Sequence, residues 1–250
     1  MLDHLGALAR EMAAFESAAR RGPLAAHVDA CPEWTAGDLV AHLGEVHRWA
    51  AHHVRDRPDR MEWGWADPWE GPAHDPGIAD WYREGADVLL ATLRDADPAA
   101  TVPTFLGPGT AAFWARRQAQ ETLVHRWDIE TACGGAPAPL DGELAADGVD
   151  EFLTVFAPRR RRQSERAGGG ESVHVHRTDG DGEWIVRFAA GSTDAAGVVV
   201  ERTHAKGDVA VRGDAEDLLL WLWMRRDTSP LDIVGDPSVL DVFRELVPPT

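Results

Sequence analysis

Apolar residues recur at helical spacing through the first half of the chain. Leu2, Leu5, Leu8, Ala9, Met12 and Phe15 predict a first helix over residues 2–20. Residues 21–33 form a connection, and Thr35 with Asp38 three positions on forms a capping box with Asp in the Glu position. Leu39, Val40, Leu43, Val46 and Ala50 then carry a second helix to about Val54. A Trp- and Pro-rich loop covers 56–77, and Ile78, Tyr82, Leu89 and Leu93 mark a third helix over 78–95. Pro98, Pro103, Gly107, Pro108 and Gly109 predict another loop. The fourth helix runs from Thr110 to Cys133 and stops at Gly134 and Gly135. Four helices joined by loops predict a bundle.

The second half changes character. Leu144 to Phe156 is a further helix. Alternating residues on either side of Thr178 to Gly182 predict a hairpin of Glu171–His176 with Glu183–Phe188. Val198–Arg202, Asp208–Arg212 and Asp232–Val234 are further strand candidates, with helices at Ala215–Arg225 and Pro237–Leu246. The class is therefore α+β. A four-helix bundle over residues 1–138 precedes a smaller α+β domain over 139–250, and there is no internal repeat.

Composition narrows the function. Of 250 residues, 44% are hydrophobic and 27% charged, enough for an ordinary core. The formal net charge of −17 argues against nucleic acid as a partner. The basic cluster Arg159 to Arg162, with Arg166 nearby, reads as a solvated loop beside a helix end. No apolar run is long enough for a membrane span. The amphipathic start, carrying Asp3, His4 and Glu11, lacks the basic head and apolar stretch of a signal peptide, so the expected compartment is the cytoplasm. Cys31 and Cys133 are too few for a disulfide framework and are expected as reduced thiols. There are eleven tryptophans against one tyrosine, and Trp63, Trp65 and Trp69 fall in a loop that can cover a pocket.

The chemistry concentrates in the fourth helix. Glu121 and His125 lie one turn apart on one face, with Asp128 a further turn along and Gln118 one turn back. A carboxylate and an imidazole facing the interior of a bundle are costly unless paired or metal-bound. Together they can ligate one ion, and a third ligand from a facing helix completes a site with open positions. The competing reading is a surface Glu–His pair, and the spacing alone does not decide. The second helix offers His42, His47, His52 and His53. His42 and His47 border its apolar face on opposite sides and His52 points away, so the helical wheel does not choose between the first two.

The stretch from Cys31 to Gly44, with Trp34, Asp38 and His42, resembles the first signature of the mycothiol-dependent maleylpyruvate isomerase family, one of the DinB-like metal-binding bundles. Glu121 to Asp128 resembles the second signature. Val211 to Arg225, followed by Val234, Gly235 and Asp236, is similar to the motif of the family's C-terminal domain. The resemblance implies His42, Glu121 and His125 as metal ligands, and so prefers His42 to His47. It implies an active-site arginine at Arg225 by position, with Arg226 as the alternative, because Met224 stands where the family usually has Gly. The C-terminal domain is then expected to bring one of these arginines towards the metal pocket. Arg117, four positions before Glu121, is the rival for a substrate carboxylate, whereas Arg126 points about 100° away from the ligand face. Zinc is the implied metal, with nickel and manganese open on ligand type, and mycothiol is the implied cofactor. The implied reaction adds that thiol to an activated double bond of a small acidic or electrophilic substrate, as a cis–trans isomerase or an S-transferase acting as monomer or homodimer. The alternatives are a non-catalytic metal- or ligand-binding protein and a metal-dependent hydrolase on the same bundle.

Overall fold

Asp3 begins the first helix by accepting a hydrogen bond from the Gly6 amide, and α1 spans His4–Arg21. Thr35 and Asp38 form the reciprocal capping box that the sequence predicts, and α2 spans Ala36–Arg55. Helix α3 (Ile78–Asp95) and helix α4 (Ala111–Ala132) complete the bundle. The computed structural model describes residues 2–62 and 70–248, so the predicted pocket-covering tryptophans Trp63, Trp65 and Trp69 lie outside the described residues. Helix α1 packs chiefly along α4 and α2 along α3. Leu8, Phe15, Leu39, Leu43, Leu89, Trp114 and Leu123 form a sealed core. Gly44 is required by a close approach, since a Cβ there would stand 2.3 Å from the Trp81 ring. The chain divides into two compact units, Met1–Ala138 and Pro139–Thr250.

Two segments of the first unit and its neighbour differ from the expectation. The loop predicted around Pro103 and Pro108 is a short antiparallel hairpin of β1 (Thr101–Thr104) and β2 (Gly107–Thr110). Its prolines face each other across the ladder, and Pro103 offers its carbonyl to the indole N–H of the buried Trp114 at 3.0 Å. The predicted helix over 144–156 is longer. Helix α5 (Gly142–Glu151) continues through a π-helical stretch, Phe152–Phe156, into α6 (Ala157–Arg161). Within the basic cluster Arg162 and Arg166 are exposed beyond the helix end, but Arg160 and Arg161 are not solvated. Arg160 is buried with its guanidinium 4.8 Å from the Trp223 ring centre, and Arg161 is buried, donating to the carbonyls of Arg166 and Ser192 at 2.5 and 2.6 Å. Backbone carbonyls and aromatic faces replace water around these charges, which a run of like charges in a sequence does not reveal.

The second unit is built on a five-stranded sheet in the order β5-β4-β3-β6-β7. Its strands are β3 (Ser172–Arg177), β4 (Glu183–Phe188), β5 (Val198–Glu201), β6 (Val209–Gly213) and β7 (Asp232–Gly235). Strands β3 and β6 are parallel and the other pairs antiparallel. Val173, Val175, Trp184, Val186, Val209 and Val211 alternate onto one buried face. Helices α7 (Ala215–Leu222) and α8 (Ser238–Leu246) pack against the sheet. Helix α7 ends three residues short of the predicted Arg225. Met224 adopts φ 62°, Met224 N–H bonds the Trp221 carbonyl, and Arg225 N–H bonds the Leu220 carbonyl, which together form a Schellman closure. No Gly or Pro announces that stop. Among the described residues no helix is long and apolar enough to cross a membrane, and neither Cys31 nor Cys133 is in a disulfide.

Candidate metal centre

Helix α4 buries polar side chains on several sides, among them Arg117, Gln118, Gln120, Thr122, His125, Arg126 and Asp128. Each such group needs a partner. Arg126 finds Glu11 at 2.9 Å and Glu130 at 2.8 Å, which fixes α4 to α1 away from the ligand face. Thr122 donates to the Gln118 carbonyl and therefore accepts from His47 Nε2, 3.1 Å away. His47 is fully buried, and that burial pushes its pKa down to about 3. It is a neutral core histidine, and His42 is the one that reaches the ligand face of α4.

His42, Glu121 and His125 converge. One ligating atom from each lies within 4.8 Å of the others. Glu121 Oε1 stands 3.3 Å from His125 Nε2 and 3.6 Å from His42 Nε2. Its other oxygen, Oε2, accepts from Arg117 at 2.6 Å, and Arg117 is only 4% exposed. Burial alone would raise the Glu121 pKa; Arg117 and the two imidazoles reverse this and hold it well below the usual carboxylate range. The carboxylate is thus ionised, with one oxygen anchored and the other presented to the histidines.

His125 is oriented from behind. Asp128 Oδ2 lies 2.9 Å from His125 Nδ1, so that nitrogen carries a proton and Nε2 is turned towards Glu121. Burial would lower the His125 pKa, but the bonds to Asp128 and Glu121 raise it to about 9. An ion bound here would take the place of the Nε2 proton. His42 is placed by the Trp34 ring, whose centre is 4.7 Å from its own, and meets His125 edge-on at 5.3 Å. Two imidazoles, one anchored carboxylate and a buried orienting Asp fit a divalent ion with an open position. Sequence reasoning placed Asp128 and Arg117 near the ligands but missed what they do, and it missed Trp34 as a ring against His42. The signals were a carboxylate three residues after the histidine and an arginine four before the glutamate.

In the second unit the two arginines after α7 differ. Arg226 pairs with Asp217 and with Glu216, the latter at 2.8 Å, so its guanidinium ties back to α7. Arg225 donates to the Trp223 carbonyl at 2.8 Å.

The family model described as the mycothiol maleylpyruvate isomerase N-terminal domain matches residues 5–130, and the one described as the MDMPI C-terminal domain matches residues 143–241. Two solved structures have the same fold at 11% identity. One is the crystal structure of the mycothiol-dependent maleylpyruvate isomerase, with a TM-score of 0.63, and the other is a histidine-to-alanine mutant of such an enzyme, with a TM-score of 0.64. Both alignments cover 94% of this chain and 93% of the other. A search of the curated proteins found no match. With matched segments running from residue 5 to residue 241 and the fold shared from end to end, this chain belongs to the mycothiol maleylpyruvate isomerase family.

Proposed function

We propose that the chain is a metal-dependent enzyme that uses mycothiol to act on an activated double bond of a small acidic substrate, as a cis–trans isomerase or an S-transferase. The observation that carries this reading is the convergence of His42, Glu121 and His125 in a member of this family. A zinc-class ion held by these residues would supply Lewis acidity that lowers the pKa of a bound thiol. The chain's own residues prepare that site. Arg117 keeps Glu121 ionised and holds its Oε2, leaving Oε1 towards His42 and His125, where it would meet an ion. Asp128 sets the His125 tautomer, and the Trp34 ring restrains His42. Binding an ion there would require His125 Nε2 to give up its proton and the three side chains to draw slightly closer together.

The family resemblance favours Arg225 for a substrate carboxylate, with Arg226 the alternative and Arg117 the rival. Arg226 is already bound to Asp217 and Glu216 and serves to hold the end of α7. The test is thiol-dependent conversion of a cis-enedioate by the zinc-loaded protein, followed with mycothiol and without it. Turnover should require the thiol and disappear in His125→Ala. Arg225→Ala should raise KM at least about tenfold at unchanged metal content, whereas Arg226→Ala should mainly lower stability. Conversion that proceeds equally without thiol, or survives His125→Ala, contradicts the reading.

A further inference from the structure

The outer face of the sheet in the second unit carries a second group of metal-type ligands. His174 and His176 alternate onto the same face of β3. The antiparallel register sets Glu183 directly across from His176. The connection after β5 carries His204 over this face. The result is a carboxylate with both oxygens turned to imidazoles. Glu183 Oε1 is 2.9 Å from His176 Nδ1, and Oε2 is 2.6 Å from His204 Nδ1 and 3.4 Å from His174 Nε2. One ligating atom of each of the four residues lies within 4.8 Å of the others.

Two observations point to a ligand rather than to a cluster of ion pairs. His174 is 94% buried (6% exposed), yet its Nε2 has no hydrogen-bond partner and is aimed into the group. The access is graded, too. His174 forms the floor, His204 has a side chain 78% exposed, and an open cavity of about 380 Å³ lined by His176, Asp181, Glu183 and Arg212 adjoins the cluster. Tetrahedral zinc with bonds near 2.0–2.1 Å needs ligating atoms about 3.3 Å apart. The present separations reach that by small side-chain shifts, the largest of them available to the exposed His204.

We propose that His174, His176, Glu183 and His204 form a second, structural site for a zinc-class ion, which pins the β5–β6 connection to the sheet. Imidazole-rich ligation selects zinc, cobalt or nickel over magnesium or calcium. Four protein ligands fill a tetrahedral ion, leaving no open position for chemistry.

The test uses the full chain, tag-free and stripped with chelator, then titrated with Co²⁺ and separately with Zn²⁺ alone. The wild type should take up two equivalents. His204→Ala, a change in an exposed connection that leaves the fold intact, should weaken one equivalent at least about tenfold and remove its share of the cobalt absorption. His174→Ala/His204→Ala should retain one equivalent, as should His125→Ala. Identical stoichiometry and affinity in wild type and His204→Ala overturns the proposal even if the double variant does not fold. A single wild-type equivalent that survives His125→Ala and is lost in His204→Ala supports this site and removes the bundle centre. The reverse pattern removes this site alone.

Discussion

The bundle and the sheet each gather histidines around one glutamate, but they hold it differently. In the bundle Glu121 has one oxygen tied to the buried Arg117, so only Oε1 faces His42 and His125. On the sheet Glu183 gives both oxygens to imidazoles. The first arrangement has three donors, with His125 oriented by Asp128, and a metal bound there would keep coordination open for a thiol. The second has four donors around a rim partly exposed to solvent, and would close the coordination sphere of a tetrahedral ion. What separates a reactive centre from a structural one is therefore the groups behind the ligands as much as the ligands themselves.

The comparison breaks most visibly in catalysis. Glu121→Gln should cut thiol-dependent turnover on the order of a thousandfold, since several kcal/mol of Lewis-acid stabilisation depend on the ion. His204→Ala should leave turnover within about twofold. Steady-state rates of the two variants, side by side, decide it; equal losses would mean the two clusters are not functionally distinct.

Next in size is the support behind the ligands. Asp128→Asn should weaken zinc binding in the bundle by about 10–100-fold, because it leaves Nδ1 of His125 without its charged acceptor. Competition with a chromophoric chelator measures this, and unchanged affinity would deny Asp128 its orienting role. Arg117→Met should act in the same direction through Glu121.

A pH effect separates His47 from His42. His47 has a folded pKa of about 3 against an ordinary value of 6.5. Between those values the unfolded chain binds the extra proton, so stability is fully present above pH 6.5 and falls as pH drops towards 3, at up to about 1.4 kcal/mol per pH unit. Urea unfolding at pH 7 and pH 4.5 should show a steeper loss for wild type than for His47→Gln. Parallel losses would mean that His47 is not a neutral core residue. The smallest effect lies at the end of α7. Met224 occupies a left-handed position with its side chain half exposed. Met224→Gly should stabilise the chain by about 1 kcal/mol, a rise of roughly 2–4 °C in Tm, and a fall would contradict the strain.

Much of this was legible from sequence where the signal is local. Ile78–Asp95 is a helix over the residues its periodicity marks, Thr35 and Asp38 cap α2, and the turn at Thr178–Gly182 joins β3 to β4. Signals that depend on tertiary partners were not. The wheel could not separate His42 from His47, because the difference is Thr122 on a neighbouring helix. The burial of Arg160 and Arg161 depends on Trp223 and on carbonyls as distant as Ser192. The sheet cluster escaped notice because His204 joins His174 and His176 only once the strands have paired, although the alternation of those two histidines before an Asp-Gly turn was visible.

The central claim is that His42, Glu121 and His125 hold an ion. The most direct measurement is metal content per chain after zinc loading and dialysis, in wild type and in His125→Ala with matched circular dichroism. The account predicts that the variant carries one ion fewer per chain than the wild type. Equal metal content in the two proteins would contradict it.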